Sequence, residues 1–279
     1  MSRAKQLIKE IKKWANDQPE VRAAILFGSQ AQRGQADPLS DIDLALFVRE
    51  PKAFLADTTW VEAFGPIWLQ VRETLETTFI EKILYEDGTL VEFVIQPLEN
   101  LQAIQANLSE HLEPDYKVLV DKDQAARDLP KADGQTQTPD HPSSEAYNQT
   151  LESFWLNAYQ VAKYLFRNDL WRAKHYDWQL KQNLLAMMGW HALLVRRQEH
   201  FTFYEGKRLQ RWTDPDTYLS LMTVFGRFYP ADSWRALEDS IKQFNRLSRE
   251  VAASLDVDPR PELAEKFQAW LAEQREEAD

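Results

Sequence analysis

Val21-Arg22-Ala23-Ala24-Ile25-Leu26-Phe27-Gly28-Ser29, resuming at Ser40-Asp41-Ile42-Asp43-Leu44-Ala45-Leu46-Phe47-Val48, is the stretch whose reading decides the fold. Val21 to Phe27 has the length and apolar character of a short buried strand, and it stops abruptly at Gly28. A glycine there can take positive φ and let a phosphate come close to the chain. If Ser29 to Gln32 opens a short helix, its free N–H groups face the same spot and form an anion site. Asp41 to Val48 reads as a second strand. Its period of two puts Asp41, Asp43, Ala45 and Phe47 on one face and Ile42, Leu44, Leu46 and Val48 on the other. Two carboxylates side by side repel each other unless a cation lies between them, and paired oxygens with open positions suit Mg²⁺. A phosphate cradle next to metal-holding carboxylates is the equipment for phosphoryl or nucleotidyl transfer. The plainer reading is a polar loop, with Asp41 as a cap and Asp43 at a strand start.

Working outward, Ser2 to Asp17 carries Leu7, Ile8, Ile11 and Trp14 on one side and lysines on the other, which predicts an amphipathic helix packed on the sheet. Gly34, Asp37 and Pro38 end any helix after Ser29 by about Arg33, and Arg33 is a candidate to face a triphosphate. Pro51 to Phe64 looks helical, with Trp60 and Phe64 in the core, and Ile67 to Val71 reads as a short strand. A hairpin follows: Ile80 to Tyr85, the turn Asp87-Gly88, then Thr89 to Ile95. In its second strand Leu90, Glu92 and Val94 share a face. An ionised carboxylate between apolar neighbours is costly unless paired or bound to metal. Glu92 therefore reads either as a third carboxylate opposite Asp41 and Asp43 or as an edge-strand residue in solvent. Pro97 to Leu108 reads as a helix and Tyr116 to Val120 as a last strand.

From Gln124 to Ser144 the composition turns to Asp, Gly, Gln, Thr, Pro and Ser, the signature of a linker. The reading is a first domain over 1–130, a linker over 131–144 and a helical domain over 145–279. Leu151, Trp155, Ala158, Val161, Ala162 and Leu165 repeat at helical spacing, as do Leu180, Leu184, Leu185, Met188, His191 and Leu194. Leu219 to Phe228, Trp234 to Leu247 and Leu263 to Leu271 complete a bundle. Of the ten tryptophans, seven follow the linker, and most are expected in the core, with one or two near the linker side able to wall a cleft. His191 reads as a hydrogen-bonded core residue. His175, in a more polar stretch, reads as a surface or cleft-border residue.

Composition narrows the function. The chain has 279 residues, enough for one large or two modest domains. It has no cysteine, which excludes disulfides, Cys-ligated zinc and thiol catalysis. A formal net charge of −11 disfavours a nucleic-acid partner and favours cationic small molecules or a metal-bridged anion. No run of 18 apolar residues predicts a membrane span, and the polar N-terminus lacks an apolar signal core, so a cytoplasmic protein is expected.

Gly28-Ser29 with Asp41-Ile42-Asp43 resembles the signature of the polymerase β-type nucleotidyltransferase superfamily. The whole chain resembles the aminoglycoside 6-adenylyltransferase (streptomycin adenylyltransferase) family more closely. Glu86-Asp87-Gly88-Thr89-Leu90-Val91-Glu92-Phe93, Val118-Leu119-Val120-Asp121-Lys122-Asp123, and Phe154-Trp155 followed by Val161-Ala162-Lys163 carry the likeness. So do Arg167-Asn168-Asp169-Leu170-Trp171, Gly206-Lys207-Arg208-Leu209 with Trp212, and Glu250-Val251-Ala252. The family usually has Asp where this chain has Glu92, so the charge is kept on an arm one methylene longer.

The resemblance implies an α+β fold: a polymerase β-like domain with a mixed sheet, then a C-terminal α-helical bundle. It implies Mg²⁺-dependent transfer of AMP from ATP to a hydroxyl of a cationic small molecule, an aminoglycoside such as streptomycin, with release of pyrophosphate. Asp41, Asp43 and Glu92 would be the catalytic and metal-holding carboxylates, with Glu92 as ligand or general base. Gly28 and Ser29 would cradle the outer phosphates, and Arg33, Lys163 and Lys174 are candidate phosphate neutralisers. No nucleic-acid or membrane partner is expected, and the chain reads as a monomer or weak homodimer. The alternatives are transfer to another hydroxyl acceptor, or a partner-binding regulatory protein of the toxin–antitoxin kind.

Overall fold

The computed structural model describes residues 2–32, 34, 36–101, 116–129, 139–198 and 204–278. Arg33, most of the expected helix over 97–108 and the linker residues 131–138 lie outside the described residues. The chain divides into two compact units, Met1–Thr136 and Gln137–Asp279.

The first unit opens with helix α1 (Arg3–Asp17), which turns Leu7, Ile11 and Ala15 inward at spacings of four residues. Each fully buried leucine or isoleucine of that stripe contributes roughly 1.5–3 kcal/mol. Strands β1 (Val21–Phe27) and β2 (Ile42–Val48) follow, separated by a single 3₁₀ turn at Gly28–Gln30. A short helix α2 (Pro51–Phe54) leads to β3 (Ile67–Leu75), β4 (Thr78–Tyr85), β5 (Leu90–Pro97) and β6 (Lys117–Asp121). These six strands form one sheet in the order β3-β4-β5-β2-β1-β6. β2 and β5 run parallel while the other neighbours are antiparallel, so the sheet is mixed.

β2 sits inside the sheet and is covered on both faces. Ile42, Leu44, Leu46 and Val48 join Leu7, Ile11 and Phe93 in one core, while Ala45 and Phe47 join Ala23, Ile25 and Leu101 in another. That division is the one the two-residue period dictates. Trp60 stacks on Trp14 with ring centroids 4.5 Å apart and meets Phe93 edge-on at 4.9 Å, closing the first core with aromatics.

Three sequence expectations are corrected in this unit. The helix expected over Pro51 to Phe64 is broken into α2 and a 3₁₀ segment at Thr59–Phe64. Asp57 causes the break by accepting from the Thr59 N–H at 2.9 Å and from its hydroxyl at 2.8 Å, a local bond that competes with helix. β3 is longer than Ile67 to Val71 and pairs with β4 along its length. The segment from Gln124 is not yet linker: the Asp121 carboxylate accepts the Ala125 N–H at 2.8 Å, and Ala126 and Leu129 are buried against Ala23 and Phe47.

The second unit is helical: α3 (Ser144–Phe166), α4 (Leu170–Leu194), α5 (Leu209–Trp212), α6 (Pro215–Val224), α7 (Pro230–Leu255) and α8 (Glu262–Ala278). Ser143, Asp169 and Asp214 cap the starts of α3, α4 and α6 through their side chains. Phe154 of α3 stacks on Phe244 of α7 with centroids 3.6 Å apart. Trp155, Trp190 and Trp212 are buried, but Trp171 is 78% and Trp178 61% exposed. Trp234 and Trp270 pack against that core, so most of these tryptophans are core as expected, and the two exceptions lie on the first half of α4.

Candidate active site

The site is built where β1 ends and β2 begins. Phe27, the last residue of β1, pairs with Asp43, so the Gly28 turn lies beside that carboxylate. Gly28 has φ +68°, the left-handed region. A Cβ added to it would fall 2.1 Å from Asp43 Oδ2, so only glycine lets the turn and the carboxylate come this close. The turn is held by the Ala31 N–H, which donates to the Gly28 carbonyl at 3.0 Å. Lys117 of β6 donates through Nζ to the Gln30 carbonyl at 3.2 Å. This lysine, exposed beside the turn, is a cation that sequence reading missed. Its only early signal is its place at the start of the last strand.

Asp41 enters from a compact turn, in which Ser40 Oγ accepts the Asp37 N–H at 2.8 Å and Asp37 accepts the Leu39 N–H at 2.7 Å. Neighbouring protein atoms displace part of its water and raise its pKa above the usual carboxylate value. Across the parallel pair, Asp43 is in register with Glu92. On β5, Val91, Phe93 and Ile95 are buried in the core and Glu92 emerges on the opposite face, the alternation that the sequence displays. β5 pairs with both β4 and β2, so Glu92 is not an edge-strand residue, and that reading is withdrawn.

Glu92 has its pKa raised, first by burial, while the ammonium of Lys82 pulls it down and Glu73 and Asp41 push it up. Lys82 is its register partner on β4, with Nζ 3.8 Å from Glu92 Oε2 and 2.9 Å from Glu73 Oε1. The ion pair offsets part of the cost of keeping a carboxylate with 30% side-chain exposure on this face.

Gly28, Ser29, Asp41, Asp43 and Glu92 are thus brought together in the first unit. Two features differ from expectation. The turn at Gly28–Gln30 is one 3₁₀ turn, too short to offer a helix end to an anion. Among the described residues, no three His, Asp or Glu side chains are gathered into a ready ligand set. The donor chemistry still fits a hard divalent cation, because the Asp43 carboxylate faces Glu92 across the strand pair beside the glycine turn and Asp41 precedes it by two residues. Lys163 and Lys174 belong to the second unit. There Lys163 Nζ lies 5.4 Å from the Tyr164 ring centroid, and Lys174 donates to the Gly226 carbonyl at 2.7 Å. His191 is buried in that unit with Nε2 2.7 Å from Glu250 Oε2, the hydrogen-bonded core role expected of it. His175 is exposed and bonds Gln179 at 2.9 Å.

A family model described as streptomycin adenylyltransferase matches residues 1–274. The chain belongs to the streptomycin adenylyltransferase family. Its relatives include an aminoglycoside 6-adenylyltransferase of Bacillus subtilis (strain 168), 26% identical over 86% of each chain. Another of the same description, from Campylobacter jejuni, is 23% identical over 99% of this chain and 96% of its own length. A crystal structure of an aminoglycoside 6-adenyltransferase from Bacillus subtilis covers 99% of both chains at 20% identity, with a TM-score of 0.46. Family membership makes the chain a nucleotidyltransferase.

Ser29 supplies a direct check of the phosphate cradle expected at this turn. Its hydroxyl follows Gly28 in the turn and is half-buried, so Ser29→Ala removes a donor without opening the core. ATP affinity measured by calorimetry is expected to fall by about 1–3 kcal/mol, the size of a charge-assisted hydrogen bond, with the melting temperature nearly unchanged. Equal affinity in parent and variant would remove Ser29 from the phosphate site.

Proposed function

We propose that this member of the streptomycin adenylyltransferase family transfers AMP from ATP to a hydroxyl of an aminoglycoside, with streptomycin the first acceptor to test, and releases pyrophosphate. The observation that carries the reading is the register of Asp43 with Glu92 on adjacent parallel strands, directly beside the Gly28 turn. Full-length similarity to proteins named aminoglycoside 6-adenylyltransferase supports the acceptor class. The net charge of −11 suits a polycationic substrate.

In this reading Gly28 and Ser29 donate hydrogen bonds to the outer phosphates and hold the triphosphate still, so that the α-phosphorus is presented to one side only. Asp41 and Asp43 would hold Mg²⁺, which when bound neutralises charge on the triphosphate and on the departing pyrophosphate. Glu92 accepts the proton of the acceptor hydroxyl. The new bond joins that oxygen to the α-phosphorus, and the bond from the α-phosphorus to the bridging oxygen breaks. Burial keeps the pKa of Glu92 above that of an ordinary glutamate, which makes it a better base, while Lys82 limits the rise. The longer arm of Glu92 compared with the aspartate usual in the family favours reach toward a substrate hydroxyl.

No helix among the described residues is long and apolar enough to cross a membrane, and a cytoplasmic site with ATP at hand is the setting we infer. The acceptor is tested by following pyrophosphate release from ATP across a panel of aminoglycosides and other cationic alcohols. Release is expected with streptomycin or a close aminoglycoside. Turnover confined to non-aminoglycoside hydroxyls would overturn the acceptor class and leave the nucleotidyltransferase assignment standing.

A further inference from the structure

The second unit contains a cavity of about 510 Å³ that none of the residues discussed for adenylyl transfer lines. That volume is within the range of small-molecule sites. Its floor is α4, where Leu184 and Met188 are 1% and 4% exposed, and its walls include Leu185 and, from α6, Leu221. At the mouth stand Trp178 and Phe225, 61% and 52% exposed, two large apolar side chains left in water beside an apolar hollow.

One charged side chain is built into the wall. Lys181 is 5% exposed, and its ammonium donates to Asp177 Oδ1 at 2.6 Å and to Ser240 Oγ at 2.9 Å. An ammonium has three N–H groups, and these two bonds occupy two of them. Nζ also lies 5.8 Å from the ring centroid of Phe225 at the mouth. Because Asp177 already balances the charge of Lys181, the site asks for an acceptor atom rather than an anion. The exposed carboxylate of Glu205 at the rim further disfavours anions. A polycation fits no better, since its amines would lose water against Leu184 and Met188 while facing an ammonium.

We propose that this cavity binds a small neutral aromatic molecule carrying one hydrogen-bond acceptor, seated between Trp178 and Phe225 with the acceptor toward Lys181. The site is separate in its chemistry from the aminoglycoside and ATP reading and does not depend on it.

The probe is 6-propionyl-2-dimethylaminonaphthalene, a neutral naphthalene with a carbonyl whose emission shifts to the blue in apolar surroundings. The full-length protein is expected to bind one equivalent with a blue shift. Leu185→Trp and Leu221→Trp fill the cavity from two different helices, and each is expected to weaken binding at least about tenfold while circular dichroism is unchanged. If one variant fails to fold, the other decides. Absence of saturable binding overturns the proposal. So does parent-like binding in a folded cavity-filled variant, which would put the dye on exposed residues such as Met222 and Phe228. An analogue lacking the carbonyl is expected to bind several-fold more weakly, and equal affinity would overturn the acceptor role given to Lys181.

Discussion

Glu92→Gln is expected to keep ATP and Mg²⁺ binding while lowering turnover about 10²–10⁴-fold, the usual size of general-base catalysis. The glutamine matches the glutamate in shape and keeps the place of Glu92 between Lys82 and Asp43 in the sheet, but it removes both the capacity to accept a proton and the charge that faces Lys82. If Glu92 is chiefly a metal ligand, the same change raises the Mg²⁺ requirement and extra metal recovers part of the rate. Plots of rate against Mg²⁺ concentration separate the two, and unchanged kinetics would remove Glu92 from the site. The pH dependence adds a second readout. Because burial raises the pKa of Glu92, the acid limb of kcat/KM is expected above the value of about 4.3 for a free glutamate, and it should vanish in the variant. Stability moves in the matching direction. A carboxyl with a raised folded-state pKa contributes stability at low pH that is lost as pH rises through the raised value. The Gln variant of the apo protein should therefore gain more in melting temperature over its parent at pH 7 than at pH 4.

Asp43→Asn is expected to abolish Mg²⁺-dependent pyrophosphate release while leaving the fold intact. Asp43 lies between the Gly28 turn and Glu92, so the substitution removes charge at the centre of the cluster. Across the strand pair that charge faces Glu92, whose own pKa is raised first by burial and further by the Glu73 and Asp41 carboxylates. Apo stability should stay level or rise, as thermal unfolding will report. A variant that unfolds, or one that keeps near-normal turnover, contradicts the role.

Much of this site is legible in the chain because each part rests on local physics. An apolar run stopped by glycine marks the β1 turn, and a two-residue period assigns Asp43 and Glu92 to the face opposite Leu44 and Phe93. What stays hidden depends on partners far along the chain. Nothing near Lys117 says that it will reach the Gln30 carbonyl, since that follows from strand order, whereas Lys82 across from Glu92 is a register of the β4–β5 hairpin. β3 is hard to read for another reason: it is an edge strand with Trp68, Leu69 and Val71 all exposed, so no inward–outward pattern marks its length. Helical spacing likewise puts Trp171 and Trp178 on a helix but does not reveal that neither side chain is packed inside. The break at Asp57 is a side-chain bond overriding an otherwise helical pattern.

The central claim is that Asp41, Asp43 and Glu92 form a metal-dependent centre for AMP transfer. Its most direct test is binding of Mn²⁺, a paramagnetic stand-in for Mg²⁺, followed by electron paramagnetic resonance in the presence of a non-hydrolysable ATP analogue. The parent protein is predicted to take up Mn²⁺ in the ternary complex, and Asp43→Asn to lose most of that binding while still folded. Equal Mn²⁺ binding by parent and variant would contradict the account.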